Sequence, residues 1–298
     1  MQFNKLEIEH REIFEDFLSF KRHDLSVYTF ENIFIWKGIY EIFWAVIRES
    51  LCLFFSDDCG CFLYLSPLSK NQNPQVIKEV FRFMDKFNKN SGFSRIENIE
   101  SEDLPFFKHY GYRMEFKSHE YLCLRSCLDG LKGPSFKSKR APYNYFIKNY
   151  RFEYMPFLPS HKEDCLGLYS RWMQSRKKYY QDSLYQGMLT DSRKCLKVLL
   201  DNFRYLNLKA RIIKVGRVIK AFTCGFEVNP ETFCILYEIT DLSLKGISQF
   251  IFRNFCRELK EYKYINIMDD SGLDNLKRVK LSYRPEKLIP SYIALRSE

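Results

Sequence analysis

The residues best suited to chemistry lie between Cys234 and Tyr292, above all in the run Tyr237-Glu238-Ile239-Thr240-Asp241-Leu242-Ser243-Leu244-Lys245-Gly246. An apolar strand pattern, Phe233 to Ile239, empties into a polar turn carrying Asp241, Lys245 and Gly246, and an amphipathic helix follows at once. A strand that ends at a helix N-terminus gathers free backbone N–H groups and the positive end of the helix dipole at one point. Such a point holds a phosphate or a carboxylate. Two other segments carry candidate groups. Between residues 130 and 152 there are six basic residues and no acidic one, among them Lys137, Lys139 and Arg140, with Asn144 beside them. Later come Asn266, Asp269, Asp270 and Gly272, and then Lys280.

Each candidate has a plainer reading. Asp241 serves equally as the turn residue that starts a helix, Asp270 as a loop cap, and the basic cluster as a solvated face. Ten cysteines and five scattered histidines invite a metal centre, but Cys59/Cys61 and Cys123/Cys127 have no histidine at ligand spacing. Metal sites need four ligands in paired short spacings, so reduced, buried thiols are the expectation and no metal is assigned.

Charge narrows the partner class. Residues 1–118 hold 15 Lys+Arg against 18 Asp+Glu, net −3, whereas residues 119–298 hold 32 against 19, net +13. The second half is therefore the one to meet an anionic partner such as tRNA or anionic lipid headgroups; no DNA partner is expected. The first residues lack the basic-then-apolar layout of a secretory leader. The most apolar windows, Ile42 to Ile47 and Cys59 to Leu68, are far shorter than the ~20 residues of a membrane span, so a cytoplasmic chain, at most peripheral to a membrane, is expected.

The elements that must position these groups read as follows. Helical spacing runs from Glu9 to Arg22, and a short aromatic helix covers Thr29 to Trp36. Strands are predicted at 41–47, 50–55 and 61–65, then a helix opened by Asn73-Pro74 and closed by Asn90-Ser91-Gly92. A strand at 94–99, a short helix at 101–110, and strands at 113–116 and 120–125 complete the first half. After a turn-rich join, a helix kinked at Pro142 is predicted, then a strand at 151–157 and helices at 162–181 and 190–203. Strands at 208–215, 218–227 and 232–239 follow, with a helix at 246–259, a strand at 264–267, a helix at 273–279 and a closing strand from Tyr283. The second half thus repeats the order of the first without repeating its sequence.

That order resembles the N-acetyltransferase-like (GNAT) layout twice over. The implied fold is α+β: two tandem GNAT domains, each a mixed, mainly antiparallel twisted sheet flanked by helices, spanning 1–126 and 127–298. In this fold the turn at 241–247 would bind a cofactor pyrophosphate. Ser243-Leu244-Lys245-Gly246-Ile247-Ser248 has only one of the usual two glycines and no leading arginine, which weighs against acetyl-coenzyme A. The matching place in the first half, Leu65 to Asn73, has no glycine, so that half is expected to be structural.

Leu131-Lys132-Gly133, Lys137, Lys139-Arg140, Asn144-Tyr145-Phe146, Ala221-Phe222-Thr223, Tyr237-Glu238, Asp241, Lys245-Gly246, Tyr264-Ile265-Asn266, Asp270, Gly272 and Lys280-Leu281-Ser282-Tyr283 together resemble the phosphatidylglycerol lysyltransferase C-terminal domain family. The resemblance implies aminoacyl or acyl transfer, with aminoacyl-tRNA or an acyl-CoA as co-substrate and a lipid headgroup or other amine or hydroxyl as acceptor. Its soluble relatives read Asn-Arg-Glu-x-Asp-x-Gly where this chain has Asn266-Ile267-Met268-Asp269-Asp270-Ser271-Gly272; Arg and Glu are gone. On this reading Asp241 and Asp270 are the catalytic candidates. Lys137, Lys139, Arg140, Asn144, Glu238, Lys245, Gly246, Asn266 and Lys280 are the substrate-binding ones. A non-catalytic protein that binds RNA or a membrane surface is the competing expectation.

Overall fold

The structure, a computed structural model, describes residues 2–89 and 92–297. It resolves into two units: Met1–Glu120 with Asp269–Gly272 and Leu288–Glu298, and Tyr121–Met268 with Leu273–Lys287.

In the first unit the elements are β1 (Asn4–Lys5), α1 (Arg11–Leu18), α2 (Phe30–Ile35), β2 (Glu41–Ile47), β3 (Ser50–Asp57), β4 (Gly60–Leu63), α3 (Pro74–Phe87), β5 (Ile96–Glu100), α4 (Leu104–His109) and most of β6 (Tyr112–Leu124). Local chemistry explains several of them. The β2–β3 hairpin turns on Arg48 and Glu49, both at positive φ, as a two-residue loop matched to the twist of its strands requires. Asn73 caps α3 by accepting the Gln75 N–H at 2.9 Å, and Pro74 takes a first-turn position where no N–H is needed. The apolar stripe Val76, Ile77, Val80, Phe81, Met84 then packs on Ala45, Phe54, Leu63 and Ile99. Of the residues expected to close this helix, Asn90 and Ser91 lie outside the described residues.

Two expectations change here. The strands predicted at 113–116 and 120–125 are one strand, β6, because Lys117-Ser118-His119 contains no Gly, Pro or Asn to turn the chain. The final strand, β12 (Lys287–Arg296), does not close the second half. It pairs with β5, giving the first unit the strand order β1-β2-β3-β4-β5-β12-β6.

The second unit takes the end of β6 and adds α5 (Arg125–Gly130), α6 (Lys137–Asn149), β7 (Glu153–Pro156), α7 (Lys162–Tyr179), α8 (Ser183–Asp201), β8 (Lys209–Val215), β9 (Val218–Asn229), β10 (Thr232–Thr240), α9 (Ile247–Glu258), β11 (Tyr264–Asn266) and α10 (Asp274–Leu281). Strand order is β6-β11-β10-β9-β8-β7, and only β10–β11 is parallel. α8 begins two turns before the predicted start because Asp182 caps it, accepting the Tyr185 N–H at 2.7 Å. α6 runs on through Pro142 as helix. This α+β pattern, three antiparallel strands, a helix, then a parallel strand, occurs in each unit and is the tandem GNAT-like fold.

α6 and α9 touch backbone to backbone. Gly246, at φ +90°, presses on the Pro142 carbonyl so closely that a Cβ would sit 2.0 Å from its oxygen. Gly216, in the β8–β9 turn at φ +62°, has open space around it. Gly216→Ala should therefore cost only the left-handed backbone penalty, about 1–2 kcal/mol, whereas Gly246→Ala should lose roughly 2 kcal/mol more through overpacking. Urea-unfolding midpoints for the two variants check this; equal losses would contradict the contact.

Candidate functional site

β10 and β11 pair at three positions only, Thr232↔Tyr264, Phe233↔Ile265 and Cys234↔Asn266. Past them β10 continues to Thr240 against β9 alone, while β11 stops. Asn266 causes the stop: fully buried, its Oδ1 accepts the Met268 N–H at 2.8 Å and folds the chain over, with Met268 at φ +62°. A gap opens beside the second half of β10.

Consecutive strand residues face opposite ways. The Tyr237 hydroxyl donates to the Ser192 carbonyl of α8 at 2.8 Å. Glu238 consequently faces the other side, where Lys139 of α6 and Lys280 of α10 are its electrostatic neighbours. Lys280 Nζ donates to the Ile267 carbonyl left open where β11 ends. Lys139 Nζ sits 4.0 Å from the centre of the Tyr283 ring, a cation–π contact under a buried phenol. The Glu238 carboxyl is half-buried and makes no hydrogen bond or ion pair among the described residues. Burial outweighs the two lysines and pushes it up to about 8. Burial also lowers the Lys139 ammonium, only partly opposed by Glu238. An acid whose ionisation falls near neutrality, beside an ammonium that sheds its proton more readily than usual, is equipped to move a proton.

Of the residues expected from sequence, Lys139, Glu238 and Lys280 come together, and Asn266 shapes the gap they occupy. The others serve differently. Asp241 takes the turn role: it pairs with Lys220 at 2.7 Å and accepts the Ser243 N–H and hydroxyl at 3.0 and 2.6 Å. Against burial, these bonds hold its carboxyl down at about 2. Asp270 lies in the 269–272 segment of the first unit and accepts the Gly272 N–H at 2.9 Å. Arg140 Nη1 donates to the carbonyls of Leu131 and Gly133, fastening the turn before α6. Lys137 and Asn144 are exposed on α6. Lys245 is exposed too, 4.8 Å over the Tyr145 ring. Gly246 is the α6–α9 contact already described.

The turn at 241–247 offers little to an anion. Its Ser243 N–H goes to Asp241 Oδ1, its Leu244 N–H to the Asp241 carbonyl and its Ile247 N–H to the Leu244 carbonyl. Sequence reasoning passed over Tyr283 and Lys220. The flanks of Tyr283, Ser282 and Arg284-Pro285-Glu286, are mostly polar, so its one signal was its place in the family resemblance, and nothing local signalled Lys220. Among the described residues no helix is long and apolar enough to cross a membrane, and no group of three or more His, Cys, Asp or Glu could hold a metal ion.

The family model described as phosphatidylglycerol lysyltransferase, C-terminal, matches residues 20–295. Among solved structures, a conserved protein of unknown function from Bacteroides thetaiotaomicron is 26% identical, with TM-score 0.87 and both chains covered in full. L-PGS from Bacillus licheniformis is 19% identical with TM-score 0.65, the match covering 96% of this chain and 91% of that one. FemX is 10% identical with TM-score 0.59, covering 99% and 97%. No curated protein matches the chain.

Two stability measurements separate the carboxylates. The Glu238 pKa is raised in the fold, so its contribution is full below the unfolded value, about 4.5, and is lost as pH rises through about 8. Glu238→Gln should thus match the parent at pH 5 and be roughly 2 kcal/mol more stable at pH 9. Asp241 is the reverse case: depressed in the fold, it stabilises above its unfolded value and loses that as pH falls through about 2. Asp241→Asn should cost about 1–2 kcal/mol near neutrality and progressively less in acid. Denaturant titrations across pH 3–9 test both.

Proposed function

Because the chain belongs to the phosphatidylglycerol lysyltransferase C-terminal family, we propose that its second unit transfers an aminoacyl group from tRNA to an amine or hydroxyl acceptor, an anionic lipid headgroup among the candidates. The observation that carries this reading is the Glu238 carboxyl: no hydrogen bond of its own, pushed up to about 8, and flanked by Lys139 and Lys280 beside the opening between β10 and β11.

The donor ester is already activated, so holding acceptor and carbonyl together supplies much of the rate. The remaining requirement is proton traffic. As the acceptor oxygen or nitrogen bonds to the ester carbonyl carbon, its proton passes to ionised Glu238. When the intermediate collapses, the bond from carbonyl carbon to ribose oxygen breaks and the proton passes from Glu238 to that leaving oxygen. Lys139 supplies positive charge for the oxyanion that develops between the two steps. Lys280, tied to the Ile267 carbonyl, keeps the opening propped.

An ordinary acyl-CoA transferase is disfavoured by the β10–α9 turn, where the N–H groups of Ser243, Leu244 and Ile247 are engaged internally and the glycine is covered by Pro142. Purified protein incubated with a pool of labelled charged tRNAs and vesicles containing phosphatidylglycerol, or soluble amines, should move label to acceptor. Between pH 6 and 9 the rate should climb with an apparent pKa near 8, and Glu238→Gln should lower it by roughly 10²–10³-fold. Asp241→Asn should leave it largely intact. Failure of every charged tRNA, or transfer from acetyl-coenzyme A instead, overturns the reading.

A further inference from the structure

The first unit holds a cluster of buried charge that aminoacyl transfer in the second leaves unused. The Glu100 and Asp103 side chains are only 9% and 10% exposed, and Lys21 reaches both, at 3.1 and 3.0 Å. His23 Nδ1 lies 2.8 Å from Glu100 Oε2, and its ring stacks on Tyr28 at 4.1 Å. Withdrawing such groups from water costs several kcal/mol per ion.

Of this cluster, Lys21, His23 and Asp103 border a cavity of about 210 Å³. β4 and β5 pair at one position, Leu63↔Ile96, and part beyond it. Asn98, inside β5 but at φ +55°, reaches across the gap and donates from Nδ2 to the Tyr64 carbonyl at 2.9 Å. The Tyr28 hydroxyl donates to the Asn98 carbonyl, also at 2.9 Å. A unit kept only as scaffold would fill a cavity here with apolar side chains. This one is lined instead by Lys21, His23, Tyr28 and Asp103, together with Phe17, Phe20, Lys70 and residues of the 66–72 segment that follows β4.

The two carboxylates are not equally partnered. Glu100 accepts from His23, from the Asp24 N–H at 3.1 Å and from Lys21; against burial, these hold it below the usual carboxylate range. The Asp103 carboxylate has Lys21 as its one hydrogen-bond partner among the described residues, and burial leaves it raised. Two buried acids thus share one lysine. An ammonium entering the cavity would give the Asp103 carboxylate a second hydrogen-bond partner. Lys70, which is exposed, already holds its ammonium 5.4 Å over the Phe20 ring and presents a positive charge to any anionic group on the same ligand.

We propose that this cavity binds a small amino-acid-like zwitterion, its ammonium received by Asp103 and its carboxylate by Lys70. At about 30 Å³ per displaced water the volume corresponds to roughly seven waters, enough for one residue, either a free amino acid or the first residue of a peptide.

Calorimetry on the full chain tests this with free L-amino acids, their N-acetyl and carboxamide derivatives, dipeptides and inorganic phosphate as probes. At least one free amino acid should bind saturably and lose tenfold or more on N-acetylation, and Asp103→Asn should weaken it by a similar factor. Lys70→Ala, at an exposed position that the fold does not need, should weaken the free acid but not its carboxamide. Tighter binding of a dipeptide with the same dependence on both residues would support the proposal and identify a peptide N-terminus as the source. No saturable binding of any free amino acid or dipeptide, binding indifferent to both substitutions, or binding of phosphate alone would overturn it.

Discussion

A carboxyl group kept half out of water, with lysines nearby but no hydrogen bond, persists only where the backbone forces it there. In the second unit the forcing element is the early end of β11. Three register pairs join it to β10, and then the Asn266 side chain folds the chain away while β10 continues against β9 to Thr240. Glu238 stands on the part of β10 that has no parallel neighbour. Had β11 run four residues further, its own backbone would fill the gap, and a carboxylate there would have no opening to face. The weakened acidity of Glu238 and the lowered basicity of Lys139 share one cause, since burial is the largest influence on each.

α6, the helix that brings Lys139 in, is held by several independent contacts. Phe146 is fully buried against Phe250 of α9, Tyr143 stacks on the same ring at 5.6 Å, and Gly246 admits the Pro142 carbonyl. Arg257 binds the Tyr143 hydroxyl at 3.1 Å and Asp129 of α5 at 2.6 Å, and Arg140 fastens the preceding turn. Arg140, one of the six basic residues between 130 and 152, thereby serves as scaffolding instead of partner-binding charge. Elsewhere in the unit Arg253 likewise donates to the carbonyls of Asp129 and Gly130, while Arg257, Lys220, Lys209 and Arg211 pair with carboxylates.

Periodicity made most of the fold legible. Strands with hairpin turns and most helices sit within a few residues of their expected places, since their signals are local; α8, begun two turns early by its Asp182 cap, is the exception. What escaped is what depends on distant partners. The return of β12 to β5 joins residues nearly two hundred positions apart, and no local pattern encodes it. For the site, Lys139, Glu238 and Lys280 were identifiable as residue types in matching segments, but their convergence was not, because they come from three elements separated by the whole of the sheet's sequence. Asp241 was ambiguous for the opposite reason. Its position after a strand and before a helix suits a base as well as a turn anchor, and Lys220, which pairs with it in the fold, lies 21 residues upstream on the neighbouring strand.

The two units part their sheets at the same point of the same pattern, after the third strand of the meander, and they stock the opening differently. The second keeps a single carboxyl with two lysines, an arrangement whose protonation is poised near neutrality. The first lines its own with Asp103, Lys21, His23 and Lys70, with Glu100 behind them held ionised by three partners. The absence of glycine from 65–73 marks the first unit as unfit for pyrophosphate, and the expectation of a purely structural role follows from that alone. Buried charge argues otherwise. A chain that has lost the need for a site gains stability by replacing isolated ions with packed apolar groups, and the first unit has not done so around Lys21, His23, Glu100 and Asp103. Losing one ligand class at a splayed pair of strands is therefore distinct from losing the opening itself, and here the opening has been retained and lined with charge of its own.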